Sequence, residues 1–210
     1  YLNYTKISHL NSLTALYLSF DRCQGITDKG IQSLGLDHLK LLTTLHLHFD
    51  QCQNLTDQVL SQNVFQFQFL QTLHLRFRGC FNVVTDQLLK DLRIGSLTSL
   101  NALYLFFDGC KQITNKGIKT LCSNGIQSLK LLRTLHLSFG LCHSLTKKGL
   151  KSLFNQGIKH LDLLSNIHLC FIACDQISET QLSFLKKKIQ SLNLPYLQGH
   201  LKINTNNTLF

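Results

Sequence analysis

The chain has 210 residues, of which 44% are hydrophobic and 15% charged, and carries a formal charge of +10 from 21 Lys and Arg against 11 Asp and Glu. That balance describes a soluble globular protein with a substantial core and excludes a charge-dominated disordered chain. No stretch reaches the roughly 18 uncharged apolar residues a membrane-spanning helix needs, and the N-terminal YLNYTKISHLNSL lacks the basic-then-apolar order of a targeting segment.

The chain starts at Tyr1 and contains no methionine, so it is expected to be a fragment or a processed product. Residues 1–12 read as the tail of a preceding repeat. From there one pattern recurs six times: LTALYLSFDRC from Leu13, LTTLHLHFDQC from Leu42, LQTLHLRFRGC from Leu70, LNALYLFFDGC from Leu100, LRTLHLSFGLC from Leu132 and LSNIHLCFIAC from Leu164. A period near 30 residues marks a stack of supersecondary units rather than a closed globule.

Each segment alternates Leu, x, Leu, x, Phe, the period-2 signature of a strand with one buried face. In the first unit Leu16, Leu18 and Phe20 point one way, and Tyr17, Ser19 and Asp21 the other. A second block follows each cysteine: GITDKGIQSL, NLTDQVL, VVTDQLLKDL, QITNKGIKTL, SLTKKGLKSL and QISETQLSFL. It starts at Thr27, Thr56, Thr85, Thr114, Thr146 or Ser178, each placed to cap a short helix, and Asp28, Asp57, Asp86 or Glu179 then complements the positive helix end. Stacked units pair their strands in parallel and pack helices behind them. The expected architecture is an α/β solenoid, a horseshoe with a parallel sheet on its concave side and helices on its convex side. Residues 1–210 are expected to form one domain of about six full repeats, starting near 13, 42, 70, 100, 132 and 164. Residues 189–210, with Pro195, read as a degenerate seventh.

The sequence LxxLxLxF, a cysteine three residues after the phenylalanine, and then ITDxG resembles the cysteine-containing leucine-rich repeats of F-box substrate receptors, and the repeat length resembles the ribonuclease-inhibitor type. The resemblance covers nearly the whole chain and speaks to fold, since a repeat motif leaves the ligand-facing positions free. It implies a scaffold that binds a partner macromolecule. Here the cysteine falls five residues after the second strand leucine, where the family usually places Cys or Asn at three. The added phenylalanine is expected to lengthen each strand by about two residues and enlarge the concave face. No F-box segment is visible.

Cys23, Cys52, Cys80, Cys110, Cys142 and Cys174 occupy one repeat position, which marks a buried ladder rather than a disulfide framework. Cys122 and Cys170 stand outside it. A reducing, cytoplasmic compartment is the expectation. There is no CxxC pair, and no cofactor is expected.

Function is sought at strand positions free of packing duty. The first outward position holds Tyr17, His46, His74, Tyr104, His136 and His168; the second brings His48, Arg76 and Phe106, and the third Arg78. Rigid amphipathic rings and forked guanidinium groups favour binding hot spots, so these ten residues are the candidate partner-binding set. The rings can equally stack as cross-strand pairs that stabilise the sheet, and Arg76 and Arg78 can pair with Asp50 and Asp108. His46, His48, His74 and Asp50 have metal-ligand side chains, but rings on a flat sheet are expected to diverge, so no metal is expected. Lys147, Lys148, Lys151, Lys159 and Lys186, Lys187, Lys188 read as a solvated outer face.

The chemistry points to a protein partner, favoured if acidic by the basic surface. Nucleic acid is not expected, since no recognised binding motif is present, and neither is a membrane. No phosphate loop, catalytic carboxylate pair or nucleophile elbow appears, so the chain is expected not to be an enzyme. The alternatives are an architectural subunit of a large assembly, or the recognition part of a ubiquitin-ligase receptor whose F-box lies outside this chain.

Overall fold

The computed structural model describes residues 7–60, 66–81, 84–197 and 200–204. Seven strands form one all-parallel sheet in chain order: β1 (Ala15–Ser19), β2 (Thr44–His48), β3 (Thr72–Arg76), β4 (Ala102–Phe106), β5 (Thr134–Ser138), β6 (Asn166–Cys170) and β7 (Leu201–Asn204). The register is that of the repeat, with Leu45 opposite Leu73 and Leu73 opposite Leu103. The seventh strand comes from the degenerate terminal segment and pairs with β6. It lacks the LxxLxL pattern, so its strand character rests on the alternation of Leu201 and Ile203 with Lys202 and Asn204.

One face of the sheet is apolar. Leu45, Leu47, Leu73, Leu75, Leu103, Leu105, Leu135 and Leu137 are all fully buried in a single cluster that includes the apolar residues of the helices. Removing such a side chain from water contributes about 1.5–3 kcal/mol. The helices are α1 (Asp28–Gln32), α2 (Asp86–Asp91), α3 (Asn115–Ser123), α4 (Lys147–Gln156) and α5 (Glu179–Gln190). Thr27, Thr85, Thr114, Thr146 and Ser178 cap them as their sequence positions require, each side chain accepting from a first-turn N–H. Thr56 makes the same bond to Gln58 N–H, yet residues 57–60 form turns instead of the expected helix. Residues 61–65, where that helix would continue, lie outside the described residues, as do residues 1–6.

The Thr-Asp pair that opens the second block also links neighbouring units. Asp28 accepts from the backbone N–H and hydroxyl of Thr56, Asp57 from those of Thr85, and Asp86 from those of Thr114. Asn115 continues the series toward Thr146. Gly117 makes room for this: a Cβ there would collide with the Asp86 carboxylate.

The added phenylalanine does something other than extend the strands. Each of β1 to β6 spans five residues and stops before it. Pairing nevertheless continues, Phe49 N–H donating to Arg76 C=O at 2.8 Å and Gln51 N–H to Arg78 C=O at 2.7 Å. The backbone then turns left-handed two residues after every phenylalanine, at Arg22, Gln51, Gly79, Gly109, Leu141 and Ala173. The rings stack in an unbroken row, Phe20, Phe49, Phe77, Phe107, Phe139 and Phe171, with centroids 5.1–6.1 Å apart.

The cysteine ladder hydrogen-bonds to that row. Cys52, Cys80, Cys110, Cys142 and Cys174 donate their thiols to the carbonyls of Phe20, Phe49, Phe77, Phe107 and Phe139, at 3.0–3.3 Å. Each thiol satisfies a carbonyl of the preceding unit, which explains a cysteine at this position. Cys23 departs from the expectation of burial: it is exposed.

Candidate functional site

The sheet face opposite the leucines is only partly covered, and the sequence-selected residues gather there. Parallel in-register pairing sets Tyr17 beside His46, His46 beside His74, His74 beside Tyr104, Tyr104 beside His136 and His136 beside His168. Ring centroids along that column lie 4.4, 4.9, 5.4, 6.1 and 4.1 Å apart. The rings are therefore in mutual contact and stabilise the sheet, at a few tenths to about 1 kcal/mol per pair. Tyr17 is 63% exposed, while the others of the column are half-buried.

The next column is less open than the alternation predicts. Phe106 is only 8% exposed, because the rings of His74 and His136 lie 5.0 and 4.5 Å away and the Arg78 guanidinium covers it at 4.6 Å. Ser138 and Cys170 are buried too. Phe106 is thus a floor under the surface rather than a group projecting from it.

Arg76 and Arg78 pair with the flanking acids. Arg76 donates to Asp50 Oδ2 and Arg78 Nε to Asp108 Oδ2 at 3.0 Å. Asp50 is 8% exposed and also accepts from the Arg78 backbone N–H. The Arg76 side chain is half-buried, whereas that of Arg78 is more exposed and free to meet a ligand.

Burial lowers the pKa of each histidine on this face. Burial, followed by His48 and His46, pushes His74 down to about 3, and burial with His168 and Arg78 pushes His136 down to about 4. His46, His48 and His168 are lowered as well, chiefly by burial. Contrary to the expectation of divergence, His46, His48 and His74 converge, each placing one nitrogen within 4.8 Å of the others. Further along the face, Tyr104, Thr134, His136, Asn166, His168 and Lys202 line a depression of about 210 Å³.

A second concavity was not visible in the sequence. Lys147, Lys151, Phe154, Phe184 and Lys188 of α4 and α5 border a groove of about 400 Å³. Phe184 is 58% exposed and Lys188 lies over both aromatic rings. The signals were Lys147, Lys151 and Lys188, read in the sequence as a solvated outer face, and Phe184, which falls off the buried Leu182, Leu185 and Ile189 stripe of its helix.

Neither a family model nor a curated protein sequence matches the chain. Among solved structures, the chain is similar to the yeast complex described as "Crystal structure of Rad7 and Elc1 complex in yeast", with a TM-score of 0.46 and 18% identity over 95% of this chain. The present chain spans about half of that one, 51%. It is also similar to the tropomodulin C-terminal domain of Caenorhabditis elegans, with a TM-score of 0.43 and 11% identity, covering 87% of this chain and 86% of that one.

Proposed function

We propose that the chain is a non-catalytic interaction module, a leucine-rich-repeat solenoid that holds a protein partner on the concave side of its sheet. The observation that carries this reading is the continuous column of ring contacts from Tyr17 to His168 on the partly exposed sheet face. Rings already fixed by their neighbours lose little entropy on binding, and Tyr, Phe and Arg together form the kind of cluster in which binding energy concentrates. Arg78, over the Phe106 ring, and the net charge of +10 favour an acidic partner.

A binding role suits these histidines better than catalysis. A general base works best with a pKa near the operating pH, and His74 at about 3 and His136 at about 4 are far below it. The compartment we infer is reducing, cytoplasmic in character, because none of the eight cysteines is paired.

Affinity capture with quantitative mass spectrometry tests the reading. The double variant Tyr17→Ala with Arg78→Glu leaves the Asp50–Arg76 pair in place and is expected to lose the captured partner. A Phe184→Ala with Lys151→Glu variant on α4 and α5 should retain it. The reading fails if the first variant captures the partner as well as the unaltered chain does.

A further inference from the structure

Three imidazoles reach one spot from two adjacent strands. His46 of β2 stands opposite His74 of β3, and His48 lies two residues along β2 on the same face. The His74 ring is 4.9 Å from that of His46 and 4.8 Å from that of His48, and one nitrogen from each of the three lies within 4.8 Å of the others. His48 Nε2 and His74 Nε2 are shielded from water without a hydrogen-bond partner. Such atoms are costly unless something binds them.

The geometry points to a three-histidine site for one divalent transition ion of the zinc class. Zinc binds imidazole nitrogen at about 2.0–2.1 Å, so a tetrahedral centre draws its nitrogens to within about 3.4 Å of one another. Binding the ion therefore requires the three half-buried rings to rotate toward one another.

The opposing charge at the site is Arg76, directly across from His48. It is neutralised by Asp50, whose Oδ2 accepts from the guanidinium and whose Oδ1 accepts from Arg78 N–H. That engagement leaves Asp50 outside the ligand set. The protein supplies three nitrogens, and the fourth position stays open to water or to a donor from outside. The site does not depend on the partner reading, since the isolated chain would bind the ion.

Zn²⁺ titration of the purified chain, carrying no histidine tag, by calorimetry, with Co²⁺ as an optical probe, tests the site. One ion per chain is expected, with a tetrahedral cobalt spectrum, and His74→Gln or His46→Gln should weaken binding by about tenfold or more. His38→Gln, at an exposed histidine away from the sheet face, and Cys23→Ser, at the exposed thiol, should leave it unchanged. Thermal melts of each variant confirm that folding is intact. Absence of one-to-one binding, binding that survives both His46→Gln and His74→Gln, or binding lost with Cys23→Ser would each overturn the assignment.

Discussion

Asp57 of one unit accepts two hydrogen bonds from Thr85 of the next, from the backbone N–H at 2.8 Å and from the hydroxyl at 2.6 Å. Thr85 is itself the helix cap, its hydroxyl accepting from Gln87 N–H at 3.0 Å. The aspartate that follows one cap thus orients the next, and the helices are tied to each other as well as to the sheet.

Hydrogen bonds to a charged acceptor contribute about 1.5–3 kcal/mol each. Asp57→Ala is therefore expected to lower unfolding free energy by about 2–3 kcal/mol in a denaturant titration. Glu179→Ala, at the matching position of the last unit, should change it by less than about 0.5 kcal/mol. Equal effects from the two would show that the inter-unit bond is not what Asp57 contributes.

The left-handed turn after each phenylalanine makes a prediction of opposite signs. Gly109 has φ of 79°, and an added Cβ would approach Phe81 Cε1 to 3.0 Å; Gly109→Ala is expected to cost about 1–2 kcal/mol. Ala173 occupies the same turn with φ of 54°, so Ala173→Gly should stabilise by about 0.5–1 kcal/mol. Thermal unfolding of both variants checks the pair. A loss of stability in Ala173→Gly would contradict the strain assigned to this position.

Thiol labelling separates Cys23 from the ladder. Burial pushes Cys80 and Cys174 up to about 12 and raises Cys52, Cys110 and Cys142 as well, which suppresses the reactive thiolate. Maleimide treatment of the native chain, read by mass spectrometry, should modify the exposed Cys23 quickly and the ladder cysteines only after denaturation. Rapid native modification of Cys110 would contradict the buried ladder.

His136 should titrate far below an ordinary histidine. Its value of about 4 lies under the usual 6.5 because of burial, then His168 and Arg78, partly offset by Asp108. Between these two values the unfolded chain binds the extra proton and the folded chain does not, so this residue's contribution to stability falls as pH drops from 6.5 toward 4. NMR of the assigned ring should show a neutral imidazole at pH 5.5, and melting temperature should decline across that window. A ring midpoint near 6.5 would refute the burial argument.

How much of this was legible depends on which interactions are local. The strand alternation of Leu45, His46 and Leu47 and the caps at Thr85 and Thr114 are set within a few residues, and both stand where the sequence places them. The candidate face could be read for the same reason, since in-register parallel pairing follows from a repeated pattern. What could not be read lies between units. Phe106 is covered by His74, His136 and Arg78, all from neighbouring strands. Convergence of His46, His48 and His74 depends on inter-strand ring packing that alternation does not encode. Arg22, Gln51, Leu141 and Ala173 carry no glycine to announce the left-handed turn, and the strand Leu201–Asn204 lacks the repeat motif that marks the others.

The central claim, that a partner sits on the sheet face bearing the Tyr and His column, is tested most directly by photo-crosslinking in the cell. A photoreactive benzoyl-phenylalanine replaces either Tyr104, on that face, or Phe184, which is 58% exposed on α5. The account predicts a discrete protein adduct from position 104 and none of the same mass from position 184. An adduct from position 184 alone would place the partner on the helices and contradict it.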